Sequence, residues 1–287
     1  MMNYKIKIGT RESNLALYQA IEVEKKIRNL GFETEIVKIK THGDVDQKPF
    51  SFSKDFGLFT KKINEELLNE DIDIAVHSMK DLPSEIEDGI KIIAVLKRDF
   101  YEDFFVSYKN IFELENGKKV GTSSQRRKSF LKMLRPDLEI VDVRGNVETR
   151  IKKLENNEID ALILSMAGIK RLNLSVPGHV LDPDIFVPQA NQGIIVILTR
   201  KNFFLNDKIS EINDSETFIL AYVEREFLKV MNAGCHSSLG VLARYKGGRI
   251  ILHLAYIDEK RYDYYTNFQF DNLNEEIIKF RRWFYGR

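Results

Sequence analysis

The sequence predicts an α/β protein with a smaller α+β segment at its C-terminal end. Three observations favour this fold class. Apolar residues switch between strand-like and helix-like spacing through residues 4–96, a second such series runs over residues 119–198, and strand-like alternation returns after residue 238. Strands that alternate with helices in this way form a sheet whose two faces are covered by helices.

The first series begins with a strand at residues 4–8, in which Tyr4, Ile6 and Ile8 share one face. Residues 14–30 follow as a helix, because their apolar positions are spaced three or four apart. Ser13 takes the N-cap position of this helix and Gly31 lies just past its end. The same reasoning predicts strands at residues 35–40, 72–76 and 90–96 and a helix around residues 59–67.

The second series has strands at residues 119–121, 140–143, 161–164 and 194–198, and helices at residues 124–134, 147–154 and 167–172. A long helix at residues 214–231 comes next, and Asn213 with Glu216 has the spacing of a capping box. The tail is predicted as antiparallel strands at residues 239–243, 249–256 and 262–270, with a turn at Lys246-Gly247-Gly248 and a closing helix at residues 274–283.

The composition excludes several classes of protein. The 287 residues include 44 Lys and Arg against 43 Asp and Glu, a net charge of +1, which argues against a general nucleic-acid binder. A single cysteine excludes an internal disulfide and a cysteine-rich zinc site. Neither a signal peptide nor an apolar stretch of membrane-spanning length is visible, so we expect a cytoplasmic protein that inserts in no membrane.

Basic residues collect where predicted strands end, which is where ligands bind in α/β folds. Any one arginine at such a place is most often simply solvated. Six of them at junctions that face one predicted crevice instead predict a ligand with several carboxylates or phosphates, because the guanidinium fork matches such groups. Neither a Walker A motif nor a GxGxxG motif is present, so carboxylates are favoured over a nucleotide. The six are Arg11, Arg126, Arg127, Arg144, Arg150 and Arg171.

Two further residues are candidates for chemistry. Asp81 lies among these bases, where a carboxylate can stabilise a developing cation or relay a proton, although an ordinary loop aspartate is the plain alternative. Cys235 lies in a Gly-Cys-His loop, where a lone thiol suggests covalent attachment, although most free cysteines are small buried apolar residues. Histidines 42, 77 and 236 lack metal-ligand spacing, and we expect them to have structural roles.

Together these segments resemble the porphobilinogen deaminase (hydroxymethylbilane synthase) family. The resemblance runs from residue 8 to residue 240 and depends on ordered motifs rather than on any single one. They are Ala-Val-His-Ser-Met-Lys-Asp-Leu-Pro at 75–83, Gly-Thr-Ser-Ser with the arginine pair at 121–127, Val-Arg-Gly-Asn-Val-Glu-Thr-Arg at 143–150, and Glu-Phe-Leu at 226–228 ahead of Gly-Cys at 234–235.

The resemblance implies a function and a set of site residues. It implies an enzyme of heme biosynthesis that joins four porphobilinogen molecules, with loss of ammonia, on a dipyrromethane cofactor held covalently by Cys235. Asp81 matches the family's catalytic aspartate. The residues implied to bind substrate are Arg11, Arg150, Arg171 and Gln192. Those implied to bind the cofactor, besides Cys235, are Ser13, Lys80, Ser124, Arg126, Arg127, Arg144 and Gly145.

The resemblance also implies three domains and a monomer. Residues 1–96 with 191–210 and residues 97–190 are expected to form two α/β domains of the type II periplasmic-binding-protein kind, and residues 211–287 a smaller α+β domain. The chain departs from the family pattern at residues 54–59, at Asn191 ahead of Gln192, and at Ala233 ahead of Gly234. The segment at 54–59 leaves only Lys54 as a counterpart of the family's lysines there.

Two other functions stay open on the residues alone. A non-catalytic protein could use the same basic crevice to bind a small anion reversibly, but it would give the setting of Cys235 no purpose. A nucleic-acid-binding regulator is a more distant alternative, and a steep dependence of DNA binding on salt would support it.

Overall fold

The computed structural model describes residues 4–40, 60–231 and 237–286. The chain divides into two compact units, Met1–Asp99 with Gly193–Phe218 and Phe100–Gln192 with Ile219–Arg287. The α/β fold class with a smaller α+β C-terminal part is confirmed by the sheets described below. The boundaries of the three predicted domains stay a prediction.

The first unit is built on a five-stranded mixed sheet. Its strands are β1 (Lys5–Arg11), β2 (Glu33–Ile39), β3 (Ile74–Ser78), β4 (Ile90–Val95) and β10 (Ile195–Arg200), in the order β2-β1-β3-β10-β4. β1, β2 and β3 are parallel, and β10 is antiparallel to both of its neighbours. The helices of this unit include α1 (Asn14–Asn29), α2 (Lys61–Leu68) and the short α6 (Asn206–Ser210).

The core of this unit forms where the apolar stripe of α1 meets the sheet. Ala20, Val23 and Ile27 recur at helical spacing and are fully buried, and they cluster with Ile6 and Ile8 of β1. The predicted helix and the predicted strand therefore share one apolar core.

The second unit contains another five-stranded mixed sheet. Its strands are β5 (Asp103–Val106), β6 (Lys119–Gly121), β7 (Glu139–Val141), β8 (Ala161–Ser165) and β9 (Gly178–Val180), in the order β7-β6-β8-β5-β9. β6, β7 and β8 are parallel, and β5 runs antiparallel to β8. The helices α3 (Gln125–Leu134), α4 (Val147–Glu155) and α5 (Met166–Arg171) connect or follow these strands.

The C-terminal part of the second unit is a three-stranded antiparallel sheet of β11 (Leu239–Lys246), β12 (Arg249–Ile257) and β13 (Arg261–Phe268). One face packs on α7 (Ser215–Val230) and α8 (Leu273–Tyr285), and the other face contributes Leu242 and Ala255 to the core around Phe130. The predicted turn between β11 and β12 is confirmed, since Gly247 and Gly248 both have positive φ values, as a two-residue type I′ turn requires.

The structure corrects the predicted start of α7. Asp214, not Asn213, caps the helix, because its Oδ1 accepts a hydrogen bond of 2.9 Å from the backbone N–H of Thr217. Asn213 instead accepts a 2.9 Å bond from the backbone N–H of Val95 at the end of β4. The capping-box prediction was therefore wrong by one residue, because two adjacent cap-forming side chains carry the same sequence signal.

Candidate active site

In the first unit, four of the predicted site residues lie at one edge of the sheet. Arg11 is the last residue of β1, and Ser13 caps α1 by accepting a 3.3 Å hydrogen bond from the backbone N–H of Ala16. Lys80 and Asp81 follow β3 directly, in a 3₁₀ turn. Because β1 and β3 are parallel, their carboxyl ends meet at the same edge, as predicted.

The turn that carries Asp81 is anchored at both ends. Met79 donates its backbone N–H to the carbonyl oxygen of Ile194 at 2.9 Å, and Leu82 donates to Met79 at 3.2 Å. The side chains of Met79 and Leu82 are buried, whereas Asp81 between them is half-buried. In the described part of the chain the Asp81 carboxylate makes no ion pair or hydrogen bond. The fold thus holds the Asp81 backbone still and leaves its carboxylate available.

His77 shares a sheet face with Arg11, two residues beyond the paired positions Gly9 and Ala75. Its imidazole is buried, and burial together with the nearby Arg11 guanidinium lowers the pKa of His77 to about 3. His77 is therefore neutral near pH 7. Its Nε2 atom is buried without a hydrogen-bond partner.

In the second unit, the carboxyl ends of the parallel strands carry a second set of predicted residues. Ser124 caps α3 through a 3.5 Å bond from the backbone N–H of Arg127. Arg144 and Gly145 follow β7, and Asn146 caps α4 by accepting a 2.9 Å bond from the Thr149 N–H. Both helices therefore point their N-terminal ends at this edge, where their free N–H groups favour anions.

Gly145 is one place where glycine is required. Its φ is +103°, and a Cβ there would approach the Cγ2 atom of Thr149 to 2.8 Å. The Gly145 carbonyl oxygen accepts a 2.8 Å bond from Arg150 Nε, which fixes that side chain across the first turn of α4. Arg171, also predicted, is the last residue of α5 and is buried.

The adjacent arginines of α3 are both buried and both point at Asp103. Arg127 donates to Asp103 Oδ1 from Nε at 3.0 Å and from Nη2 at 2.6 Å. Arg126 places its Nη2 2.7 Å from Asp103 Oδ2. Each arginine also donates its Nη1 group to a backbone carbonyl oxygen, Arg126 to Val187 at 2.8 Å and Arg127 to Ile163 at 3.0 Å. Whether they also bind a cofactor stays a prediction.

Gln192 belongs to the same buried group. Its Nε2 donates to Asp103 Oδ1 at 3.0 Å and to the carbonyl oxygen of Tyr101 at 2.8 Å. Burial alone would raise the pKa of the Asp103 carboxyl, but Arg126 and Arg127 lower it to about 2. The cluster of two guanidinium groups and one carboxylate thus has a net charge of +1 near neutral pH.

Asp103 is the functional candidate that the sequence prediction missed. It stands directly before the apolar run Phe104-Phe105-Val106, which the structure shows to be strand β5. The sequence signal that could have identified Asp103 is an acidic residue at the start of the short apolar run that forms β5. It was missed because β5 has four residues and no alternating pattern.

Several predicted residues lie outside the described residues, namely Cys235, His42, His236 and Lys54. Among residues 4–40, 60–231 and 237–286 there is no group of three or more His, Cys, Asp or Glu side chains that could hold a metal ion. No helix in the same ranges is long and apolar enough to cross a membrane.

The two sheet edges offer different chemistry. The first presents a half-buried carboxylate together with Arg11 and Lys80. The second presents capped helix N-termini with a buried cluster of net positive charge. A carboxylate of the first kind can stabilise a cation, and an edge of the second kind can bind carboxylate groups.

Comparisons with known proteins identify the family of the chain. Residues 6–206 match the family model for the porphobilinogen deaminase, dipyromethane cofactor binding domain, and residues 218–267 match the model for its C-terminal domain. A probable porphobilinogen deaminase of Sulfurisphaera tokodaii is 44% identical over 83% of this chain and 81% of its own. Another, from Saccharolobus islandicus, is 42% identical over 90% of this chain and 88% of its own.

Among solved structures, that of the methionine binding protein MetQ is 17% identical and has a TM-score of 0.48, covering 80% of this chain and 96% of that one. The first family model spans residues 6–206, which include both sheet edges, and the two archaeal relatives cover more than four fifths of the chain. The chain belongs to the porphobilinogen deaminase family.

Proposed function

We propose that this protein is a transferase of tetrapyrrole biosynthesis, which condenses four porphobilinogen molecules with release of ammonia at each step and frees hydroxymethylbilane from the primer by hydrolysis with one water molecule. We also propose that it acts in the cytoplasm as a monomer and keeps a dipyrromethane primer attached to Cys235. The observation that carries the proposal is the Asp81 carboxylate, half-buried on an anchored turn in a chain of this family.

The residues of the second unit fit a polycarboxylate primer. Ser124, Arg144 and Gly145 lie where two helix N-termini meet the sheet edge, and the adjacent buried cluster has an excess of one positive charge. Acetate and propionate side chains on pyrrole rings are anions of the kind that guanidinium and backbone N–H groups bind. When bound, dipyrromethane supplies a pyrrole ring with a free α-carbon, which is the nucleophile of the condensation.

Asp81 acts on the substrate in this scheme. The aminomethyl C–N bond of porphobilinogen breaks with its electron pair leaving on ammonia, and the positive charge spreads over the pyrrole ring. The Asp81 carboxylate accepts a hydrogen bond from the pyrrole N–H and stabilises that charge. The bound primer would supply the α-carbon to which the methylene carbon of the substrate bonds, and the proton released from that α-carbon would leave with the ammonia as ammonium.

The test replaces Asp81 by asparagine, which keeps the shape of the side chain and removes its charge. We expect turnover of porphobilinogen to fall by a factor on the order of 100 or more, because charge stabilisation of this kind contributes that much to many enzymes. Ammonia and hydroxymethylbilane are measured together. The thermal midpoint should stay close to that of the wild type, since the Asp81 carboxylate makes no hydrogen bond or ion pair within the described residues.

The matched control is Asp88→Asn, which removes a fully exposed carboxylate that pairs with Lys201 on the surface. Near-normal turnover is expected of it. If Asp81→Asn turned over within a few-fold of this control, the assigned role of Asp81 would be wrong. Reversible binding of porphobilinogen by the wild type without release of ammonia would instead favour a binding protein.

A further inference from the structure

We propose that Asp103 is a positioning residue of the ligand-binding edge in the second unit. Its buried carboxylate holds Arg126, Arg127 and Gln192, three of the predicted ligand residues, and cancels one of the two arginine charges. This inference rests on the proposed function. It adds Asp103 to the residues that serve that function, although Asp103 lies in none of the sequence motifs described above.

The topology of the sheet brings Asp103 to this edge. β5 runs antiparallel to β8, and Asp103 pairs with Ser165, the last residue of β8. The first residue of β5 therefore lies beside the carboxyl ends of the parallel strands, where α3 begins. Its side chain is 0% exposed, so it contacts the arginines without competition from solvent.

The two oxygens of Asp103 have different partners. Oδ1 accepts two bonds from Arg127 and one from Gln192 Nε2, at distances of 2.6 to 3.0 Å. Oδ2 faces Arg126 Nη2 at 2.7 Å, without the geometry of a hydrogen bond. Arg127 is thus held by a fork of bonds, whereas Arg126 is held by charge and by the Val187 carbonyl oxygen.

The cluster is electrostatically incomplete. Two guanidinium groups packed side by side away from water repel each other, and a single carboxylate between them leaves a charge of +1. The Nε atom of Arg126 is also buried without a hydrogen-bond partner. Buried groups are rarely left in this state unless a ligand or a function accounts for it, and one carboxylate would neutralise the cluster.

Asp73 in the first unit provides the contrast. It too is a buried aspartate near an arginine, but its Oδ1 accepts from Tyr4 Oη at 2.6 Å and its Oδ2 from the Lys7 N–H at 2.8 Å. Its arginine neighbour, Arg200, lies 3.7 Å away and donates to the carbonyls of Leu67 and Ile72. This pair is neutral, and none of its members is a predicted ligand residue.

The experiment compares Asp103→Asn with Asp73→Asn in the full-length protein as purified. Both variants lose one buried carboxylate charge, so both should have a lower thermal midpoint. Intact mass spectrometry gives the fraction of folded protein that carries dipyrromethane. We expect Asp103→Asn to lose most of this modification, to less than about a tenth of the wild-type fraction, because misplaced binding groups commonly reduce function by such factors. Asp73→Asn should retain the wild-type fraction.

A second variant covers the case in which Asp103→Asn does not fold. Asp103→Glu keeps the charge and moves the carboxylate by one methylene, so a positioning role predicts reduced dipyrromethane in it as well. Full modification of folded Asp103→Asn, or of Asp103→Glu where the former is insoluble, would overturn the inference. If the wild type and Asp73→Asn also lacked dipyrromethane, the proposed function would fail and this inference with it.

Discussion

At the scale of single residues, burial decides what the charged side chains can do. Asp81 and Asp103 are both acids at the end of a sheet, yet one is half-buried and has no partner in the described residues, whereas the other is fully buried and has several. A carboxylate that is already ion-paired with two arginines cannot also stabilise a substrate cation. The difference supports the proposed catalytic role of Asp81 and the proposed positioning role of Asp103.

The first prediction for a single residue concerns His77 and the dependence of the free energy of unfolding on pH. Its pKa of about 3 lies below its ordinary value of 6.5. Between these two pH values His77 is therefore protonated in the unfolded chain and neutral in the folded chain. The contribution of neutral His77 is complete above pH 6.5 and is lost as the pH falls towards 3. Between pH 7 and pH 5 this residue alone should remove about 2 kcal/mol from the free energy of unfolding.

The variant His77→Gln removes the titrating group. Urea unfolding at pH 7 and pH 5 should show a smaller loss of stability for the variant than for the wild type, by about that same 2 kcal/mol. The matched control is His179→Gln, since His179 is exposed on β9. An equal pH dependence in His77→Gln and the wild type would contradict the assignment of a buried, neutral imidazole.

At the scale of secondary-structure elements, helix caps and turn glycines fix the site residues. Ser13, Ser124 and Asn146 each cap a helix that starts at a sheet edge. Such caps stabilise a protein by about 1 kcal/mol each. They also set where each helix begins, and so they determine which residues of the first turn lie at the sheet edge.

Gly145 gives the prediction at this scale. Gly145→Ala should destabilise the fold by about 2 kcal/mol or more, because it adds a Cβ in the left-handed region and against Thr149. We expect it also to raise the KM for porphobilinogen, since Arg144 and Arg150 lie on either side of this turn. Stability is measured by urea unfolding and KM by the rate of ammonia release.

Gly117→Ala is the control for Gly145→Ala. Gly117 also has a positive φ, of +75°, but a Cβ there meets nothing within 4 Å, and it precedes the amino end of β6 rather than the site edge. Its variant should lose some stability and keep the wild-type KM. A raised KM in both variants would show that the effect comes from general destabilisation and not from the turn.

The elements also show where sequence reasoning succeeds. The stripe of α1, the hairpin glycines and the N-cap at Ser13 are local features, and short-range patterns determine them. β5 and β9 have four and three residues, too few for a period to show. The contact between Asp103 and Arg127 joins residues 24 apart and depends on strand order, which no local pattern reports.

At the scale of the whole molecule, the net charge of +1 is the sum of two groups of charged side chains, those paired on the surface and those buried at a sheet edge. Many lysines form surface pairs one helical turn apart, such as Lys25 with Glu22 and Lys208 with Glu211, and such pairs contribute little to stability. Several arginines instead lie buried at a sheet edge, among them Arg126, Arg127 and Arg171. The family resemblance supplied their proposed ligand, because a single sequence shows which groups are basic but not which anion they bind.

The proposed function requires a primer on Cys235 that grows by one porphobilinogen at a time. Intact mass spectrometry of the wild type and of Cys235→Ala, before and after addition of porphobilinogen, tests this most directly. We predict one dipyrromethane on the wild type and none on the variant, and then a ladder on the wild type whose steps each equal porphobilinogen less ammonia. An unmodified wild type that forms no ladder would contradict the account.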